Sequence, residues 1–139
     1  MVEFVTHSAS ETVELGKELI KYVTPGKVFA LFGQMGSGKT CLTTGIASAL
    51  GFDNEVSSPT FAVVNEYLGG QIPIAHFDMY RVNDWNDLYS TGFFEYIDRG
   101  FLLIVEWSEN IESALPDDCI KISLSHLDDN SRLITVCEE

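Results

Sequence analysis

Apolar positions along the chain recur at two spacings. Val13, Gly16, Leu19, Ile20 and Val23 share one face of a 3.6-residue period, which predicts a helix. Ser8 and Glu11 stand at capping-box spacing before it, and Thr24, Pro25 and Gly26 close it. "KVFALFG", residues 27 to 33, is a strand-length apolar run, and "KTCLTTGIASALG" carries Leu42, Ile46, Ala49 and Leu50 at helical spacing up to the stop at Gly51. "VSSPTFAVVNEYLGGQIPIAHFDMYR" contains two β-rich runs around Gly69 and Gly70 and reads as a hairpin. "VNDWNDLYSTGFFEYIDRG" reads as short helical pieces broken at Gly92 and Gly100. "FLLIVEW" has the unbroken apolarity of a buried strand, and "SENIESALP" reads as a short helix. "CIKISLSHLDDNSRLITVC" predicts a closing hairpin turned at Asp128 to Asn130. The predicted fold class is α/β: a sheet flanked by helices, with added β-hairpins.

Between the first apolar strand and the helix after it lies "LFGQMGSGKT". Gly33, Gly38, Lys39 and Thr40 satisfy G-x-x-x-x-G-K-[ST], a spacing that has meaning when a strand precedes and a helix follows, as here. Small residues let backbone N–H groups approach phosphate oxygens, the helix N-terminus adds positive potential and Lys39 adds a full charge. Residues 33 to 41, namely Gly33, Gln34, Met35, Gly36, Ser37, Gly38, Lys39, Thr40 and Cys41, form the candidate nucleotide-binding segment. The Thr40 hydroxyl is a candidate ligand for magnesium. Such sites place an acid at the end of a neighbouring apolar strand, and Glu106 ends "FLLIVE". Trp107 beside it is either core or an exposed anchor.

In "AHFDMYR", alternation places His76, Asp78 and Tyr80 on one face and Phe77, Met79 and Arg81 on the other. Asp78 could orient water or a metal-bound ligand, or serve as a surface cap. A lone His76 reads as a structural residue. "SSPTF" offers hydroxyls from Ser57, Ser58 and Thr60 in a loop that is either a phosphate-sensing switch or an ordinary turn.

Composition narrows the function. A chain of 139 residues fits one domain, spanning 1–139, and its longest apolar run is too short to cross a bilayer. No basic segment followed by an apolar one marks the start, so a soluble, cytoplasmic protein without a signal peptide is expected. The three cysteines, Cys41, Cys119 and Cys137, lack C-x-x-C spacing, which argues against a disulfide framework or a zinc site. Eight basic residues against 21 acidic ones give a formal charge of −13, which disfavours direct tight binding of RNA or DNA and suits either a basic protein partner or simple solubility.

Four stretches in order, "GQMGSGKT", "SSPTF", "HFDMYR" and "VEWSE", give the chain a likeness over nearly its whole length. It resembles the TsaE family, also called YjeE or YdiB, small bacterial P-loop ATPases of tRNA threonylcarbamoyladenosine synthesis. The resemblance implies that ATP is the substrate, that Mg2+ is required, and that TsaB and TsaD are protein partners, with tRNA reached only indirectly through the complex and no membrane involved. It assigns residues 33 to 40 to the phosphates, Thr40 and Glu106 to magnesium, Asp78 and Thr60 to hydrolysis or γ-phosphate sensing, and Trp107 to activity. Lys39, Asp78, Glu106 and Thr60 are thus the implied catalytic set. An adenine pocket is expected around Ser8 to Ser10 and the hairpin near Arg132. The chain departs from the family pattern at Gln34-Met35, often Asp-Leu, which removes a charge near the phosphates; at Cys41, often Thr or Ser; and at Ser108, often Pro.

Arginines are scarce: Arg81, Arg99 and Arg132. A partner-dependent ATPase is therefore the expected activity, the alternatives being a small-molecule kinase or a nucleotide-dependent interaction switch. The kinase would need a cationic lid for which there is little material. A guanine-specific switch would need an N-K-x-D-type sequence, which is absent.

Overall fold

The computed structural model describes residues 1–34, 37–52 and 64–138. Seven strands among these residues form one sheet: β1 (Val2–Thr6), β2 (Val28–Phe32), β3 (Val64–Tyr67), β4 (Ile74–Asp78), β5 (Leu102–Glu106), β6 (Ile120–His126) and β7 (Arg132–Glu138). Their order across the sheet is β1-β7-β6-β2-β5-β4-β3. The central strands β6, β2, β5 and β4 are parallel; β7 and β3 flank them antiparallel, and β1 pairs antiparallel with β7 at the edge. The hairpins expected around Gly69 and Asp128 are both present, as β3–β4 and β6–β7.

Among the described residues four α-helices, α1 (Ala9–Glu18), α2 (Lys39–Ala49), α3 (Trp85–Ser90) and α4 (Phe93–Asp98), and two 3-10 helices, Leu19–Tyr22 and Ser108–Ala114, cover the sheet. One face packs on α1 and α2: Phe29, Leu31, Ile104, Ile122 and Ile134 of the strands meet Leu15, Leu42 and Ile46. The opposite face carries Val28, Phe77, Leu103 and Val105 against Leu88 and Phe93 of α3 and α4 and Ile111. Burial on both faces accounts for the continuous apolarity of β5, where alternate residues enter different cores. None of the described helices is long and apolar enough to cross a membrane.

Three details depart from the sequence reading. Val2–Thr6 forms a strand that the sequence pattern did not reveal; among the described residues it pairs only with β7. The buried face of α1 consists of Thr12, Leu15, Gly16 and, past its end, Leu19, while Val13, Ile20 and Val23 lie at its margins. One cause is the tightening of Leu19–Tyr22 to 3.0 residues per turn, which rotates Ile20 and Val23 off the expected stripe. The other is a helix crossing through glycine. A Cβ on Gly16 would fall 2.3 Å from the carbonyl oxygen of Leu42, and one on Gly45 would fall 2.0 Å from that of Val13. The helices touch backbone to backbone, so the bulky Val13 is pushed aside. Finally, β4 ends at Asp78, so the expected alternation does not extend to Tyr80 and Arg81.

Candidate functional site

The C-terminal ends of β2, β4 and β5 lie at one edge of the sheet because these strands are parallel neighbours. Open α/β sheets bind ligands at this edge. A cleft of about 510 Å³ opens there. Gly38, Lys39, Thr40 and Cys41 form its floor, Asp78, Glu106 and Trp107 one wall, and Ser8, Ala9, Thr12, Asp129, Asn130 and Arg132 the other.

The floor is the start of α2. Gly38 caps the helix at φ +107°, a left-handed conformation that suits glycine, and has no side chain to accept from the helix's first N–H groups. Ser37 is buried, and its hydroxyl has no hydrogen-bond partner among the described residues. These donors form a cradle for an anion. Lys39 is 8% exposed, and its Nζ donates to the Gly33 carbonyl at 2.8 Å. The same Nζ lies 5.5 Å from the centre of the Trp107 ring. Gln34 is exposed, and its carbonyl accepts from the Ser37 N–H. Met35, Gly36 and Thr60 lie outside the described residues, as do Ser57 and Ser58.

The acidic wall is set by strand register. Asp78 on β4 is the Cα partner of Glu106 on β5, so the two carboxylates end adjacent strands side by side. Asp78 is partly buried and accepts from the Tyr80 N–H through Oδ1 at 2.9 Å. Glu106 is 6% exposed, and its Oε2 lies 2.5 Å from Nε2 of the fully buried His76. Trp107 follows at φ 59°, a positive-φ residue other than glycine among those described. That turn holds its indole against Tyr80, ring centres 4.8 Å apart, and over Lys39.

The far wall joins the two ends of the chain. Ser8 caps α1 by accepting from the Glu11 N–H at 3.1 Å. Glu11 reaches back to the His7 N–H rather than to that of Ser8, a variant of the expected box. Arg132 enters from β7, its guanidinium donating to the Asp128, Asp129 and Ser131 carbonyls at 3.2 to 3.5 Å. Asp128 accepts from the Asn130 and Ser131 N–H groups, which hold its carboxyl below the usual carboxylate range. The cysteines are all free, and burial pushes the Cys119 thiol up; only Cys41 lines the cleft.

The structure therefore brings Lys39, Thr40, Cys41, Asp78, Glu106 and Trp107 together, with Ser8 and Arg132 opposite. Sequence reasoning missed Thr12 and the His76–Glu106 contact. The first was hidden by the misplaced helix face. The second joins residues 30 apart on neighbouring strands, and only the register of β4 and β5 reveals it.

No cluster of three or more His, Cys, Asp or Glu side chains able to hold a metal occurs among the described residues. Two carboxylates and a hydroxyl fit magnesium, which keeps several waters and takes further oxygens from substrate phosphates.

Comparison with known proteins agrees with this fold. A family model described as "Threonylcarbamoyl adenosine biosynthesis protein TsaE" matches residues 6–134. The tRNA threonylcarbamoyladenosine biosynthesis protein TsaE of Bacillus subtilis is 36% identical over 130 residues, covering 94% of this chain and 81% of that protein. The protein of the same name from Treponema pallidum is 35% identical over 132 residues, covering 95% and 97% of the two chains. The crystal structure of Bacillus subtilis YdiB superposes with a TM-score of 0.81 at 31% identity, over 99% of this chain and 84% of that one. With family profile, sequence relatives and sheet architecture in agreement over nearly its whole length, the chain belongs to the TsaE family.

Proposed function

We propose that this protein binds ATP with magnesium in the cleft and hydrolyses it as the ATPase of the tRNA N6-threonylcarbamoyladenosine machinery, acting with TsaB and TsaD to complete or reset the transferase cycle. One observation carries the reading: Lys39, Thr40, Asp78 and Glu106 line a single cleft over the uncapped start of α2. The first N–H groups of α2 and the Ser37 hydroxyl bind phosphate oxygens. Lys39 leaves the Gly33 carbonyl and neutralises the β- and γ-phosphates. Thr40 and Glu106 would hold magnesium, which when bound spreads the charge developing on the phosphates. Asp78, held by the Tyr80 N–H, orients the attacking water. Ser8, Ala9 and the β6–β7 turn face the nucleoside.

The arginines support dependence on a partner. Arg99 stacks over Tyr96 and Phe101, and Arg132 is engaged by turn carbonyls. An additional cation supplied in trans would complete the charge stabilisation of the γ-phosphate. The formal charge of −13 fits a role in which the partners carry the RNA contact, and a cytoplasmic location follows from that role.

ATP turnover by the purified protein, alone and with TsaB and TsaD, tests this reading, with Lys39→Ala as the blank. Turnover is expected to be slow alone, to rise with the partners, and to fall at least about 100-fold in the variant. Hydrolysis unchanged by Lys39→Ala would refute the assignment of the cleft, and turnover indifferent to the partners would refute their role.

A further inference from the structure

We propose that His76 is a positioning residue for the Glu106 carboxylate, donating its Nε2 proton to Oε2 so that the carboxylate meets the metal-nucleotide complex in one fixed orientation. The inference rests on the reading of the cleft as a magnesium-nucleotide site.

The contact is short and enclosed. Nε2 and Oε2 are 2.5 Å apart, His76 is fully buried and Glu106 is 6% exposed. Two lone pairs cannot face each other at that distance, so a proton lies between them. The other ring nitrogen, Nδ1, is buried without a hydrogen-bond partner among the described residues. The geometry therefore places the donated proton between Nε2 and Oε2.

Rigid elements hold the pair. His76 lies within β4, with Ile104 as its Cα partner on β5, so Glu106 sits on the same face, one pleat further along. The Tyr67 ring packs 6.4 Å from the imidazole. Glu106 thus bridges a buried histidine and the cleft. Its torsions are set before any ligand arrives, so binding need not order them. The arrangement inverts the usual outer-shell pattern, in which a ligating histidine is oriented by a carboxylate; here a histidine orients a carboxylate.

Three proteins test the proposal: wild type, His76→Phe, which keeps a ring but no donor, and His76→Gln, whose amide nitrogen can approach the position of Nε2. Two-bond 1H–15N spectra of the metal-free wild type should show His76 protonated at Nε2. Mn2+ binding in the presence of ADP, followed by electron paramagnetic resonance, should weaken about 10- to 100-fold in His76→Phe and return to within about threefold of wild type in His76→Gln. In ATP turnover the loss should appear as a raised Mg2+ requirement and a lower kcat, with KM for ATP little changed.

Protonation at Nδ1, or equal Mn2+ affinity in the three proteins, would overturn the role of His76. So would Mn2+ affinity lost equally in both variants, because a merely structural histidine would give that result. If the wild type fails to hydrolyse ATP while the graded Mn2+ effect is present, the ATPase reading falls and the positioning role stands.

Discussion

The crossing of α1 and α2 allows a stability change to be worked from geometry. In Gly45→Ala the new methyl carbon would lie 2.0 Å from the Val13 carbonyl oxygen, and ordinary contact begins at 3.4 Å. Helix α1 must therefore retreat by about 1.4 Å, and the obstacle is backbone, which cannot rotate away as a side chain could. Overpacking of this kind costs on the order of 1–3 kcal/mol, and a carbonyl obstacle places this case at the upper end. Alanine's better helix propensity offsets roughly 1 kcal/mol. The net expectation is a loss of about 2 kcal/mol, or roughly 8 °C in melting temperature for a chain of this size. Thermal unfolding followed by circular dichroism and the urea midpoint should agree on that loss, with an unchanged m-value. The displaced α1 also carries Ser8, Ala9 and Thr12 away from the cleft floor, so KM for ATP should rise. A Gly45→Ala protein as stable as wild type, with unaltered KM, would refute both the clash and the coupling of the two walls.

Two further outcomes follow from the turn after β6 and the turn after β5. Asp128 has a folded pKa below its unfolded value of about 3.9 because the Asn130 and Ser131 N–H groups bind its charged form. Its contribution to stability is therefore present above pH about 4 and is lost as pH falls through the depressed folded value. Asp128→Asn should lose less stability than wild type between pH 5 and pH 3 in urea titrations, and equal losses would count against the assignment. In a Trp85→Phe background, saturating Mg-ADP should change the emission of Trp107 as Lys39 leaves its place over the ring for the phosphates. Unchanged emission with nucleotide demonstrably bound would show that Lys39 does not move.

Most of the architecture was legible where one local signal sufficed. The glycine spacing between an apolar strand and an apolar-striped helix located α2 and its lysine. The uninterrupted run before Glu106 located β5, because only a strand buried on both faces is apolar at consecutive positions. Both hairpins were marked by their turn residues. What stayed hidden depends on partners distant in sequence. "VEFVT" is half-exposed, interrupted by Glu3, and becomes a strand only because β7 lies beside it. The face of α1 was misread because its central contact is made by glycines, which carry no hydrophobic signal. His76 looked structural because a single histidine gives no hint of the carboxylate one strand away.

The pairing of β1 with β7 has a consequence for biosynthesis. Val2 lies opposite Val136, so β1 must wait until β7 has been made before it gains this neighbour. Closing a loop of that length costs on the order of 4 kcal/mol in chain entropy. The same delay governs the cleft, since Ser8 and Arg132 line it from opposite ends of the chain. A nascent chain can therefore form the start of α2 well before both walls of the cleft are in place, and whatever needs both walls becomes a ligand of the assembled fold rather than a template for its folding.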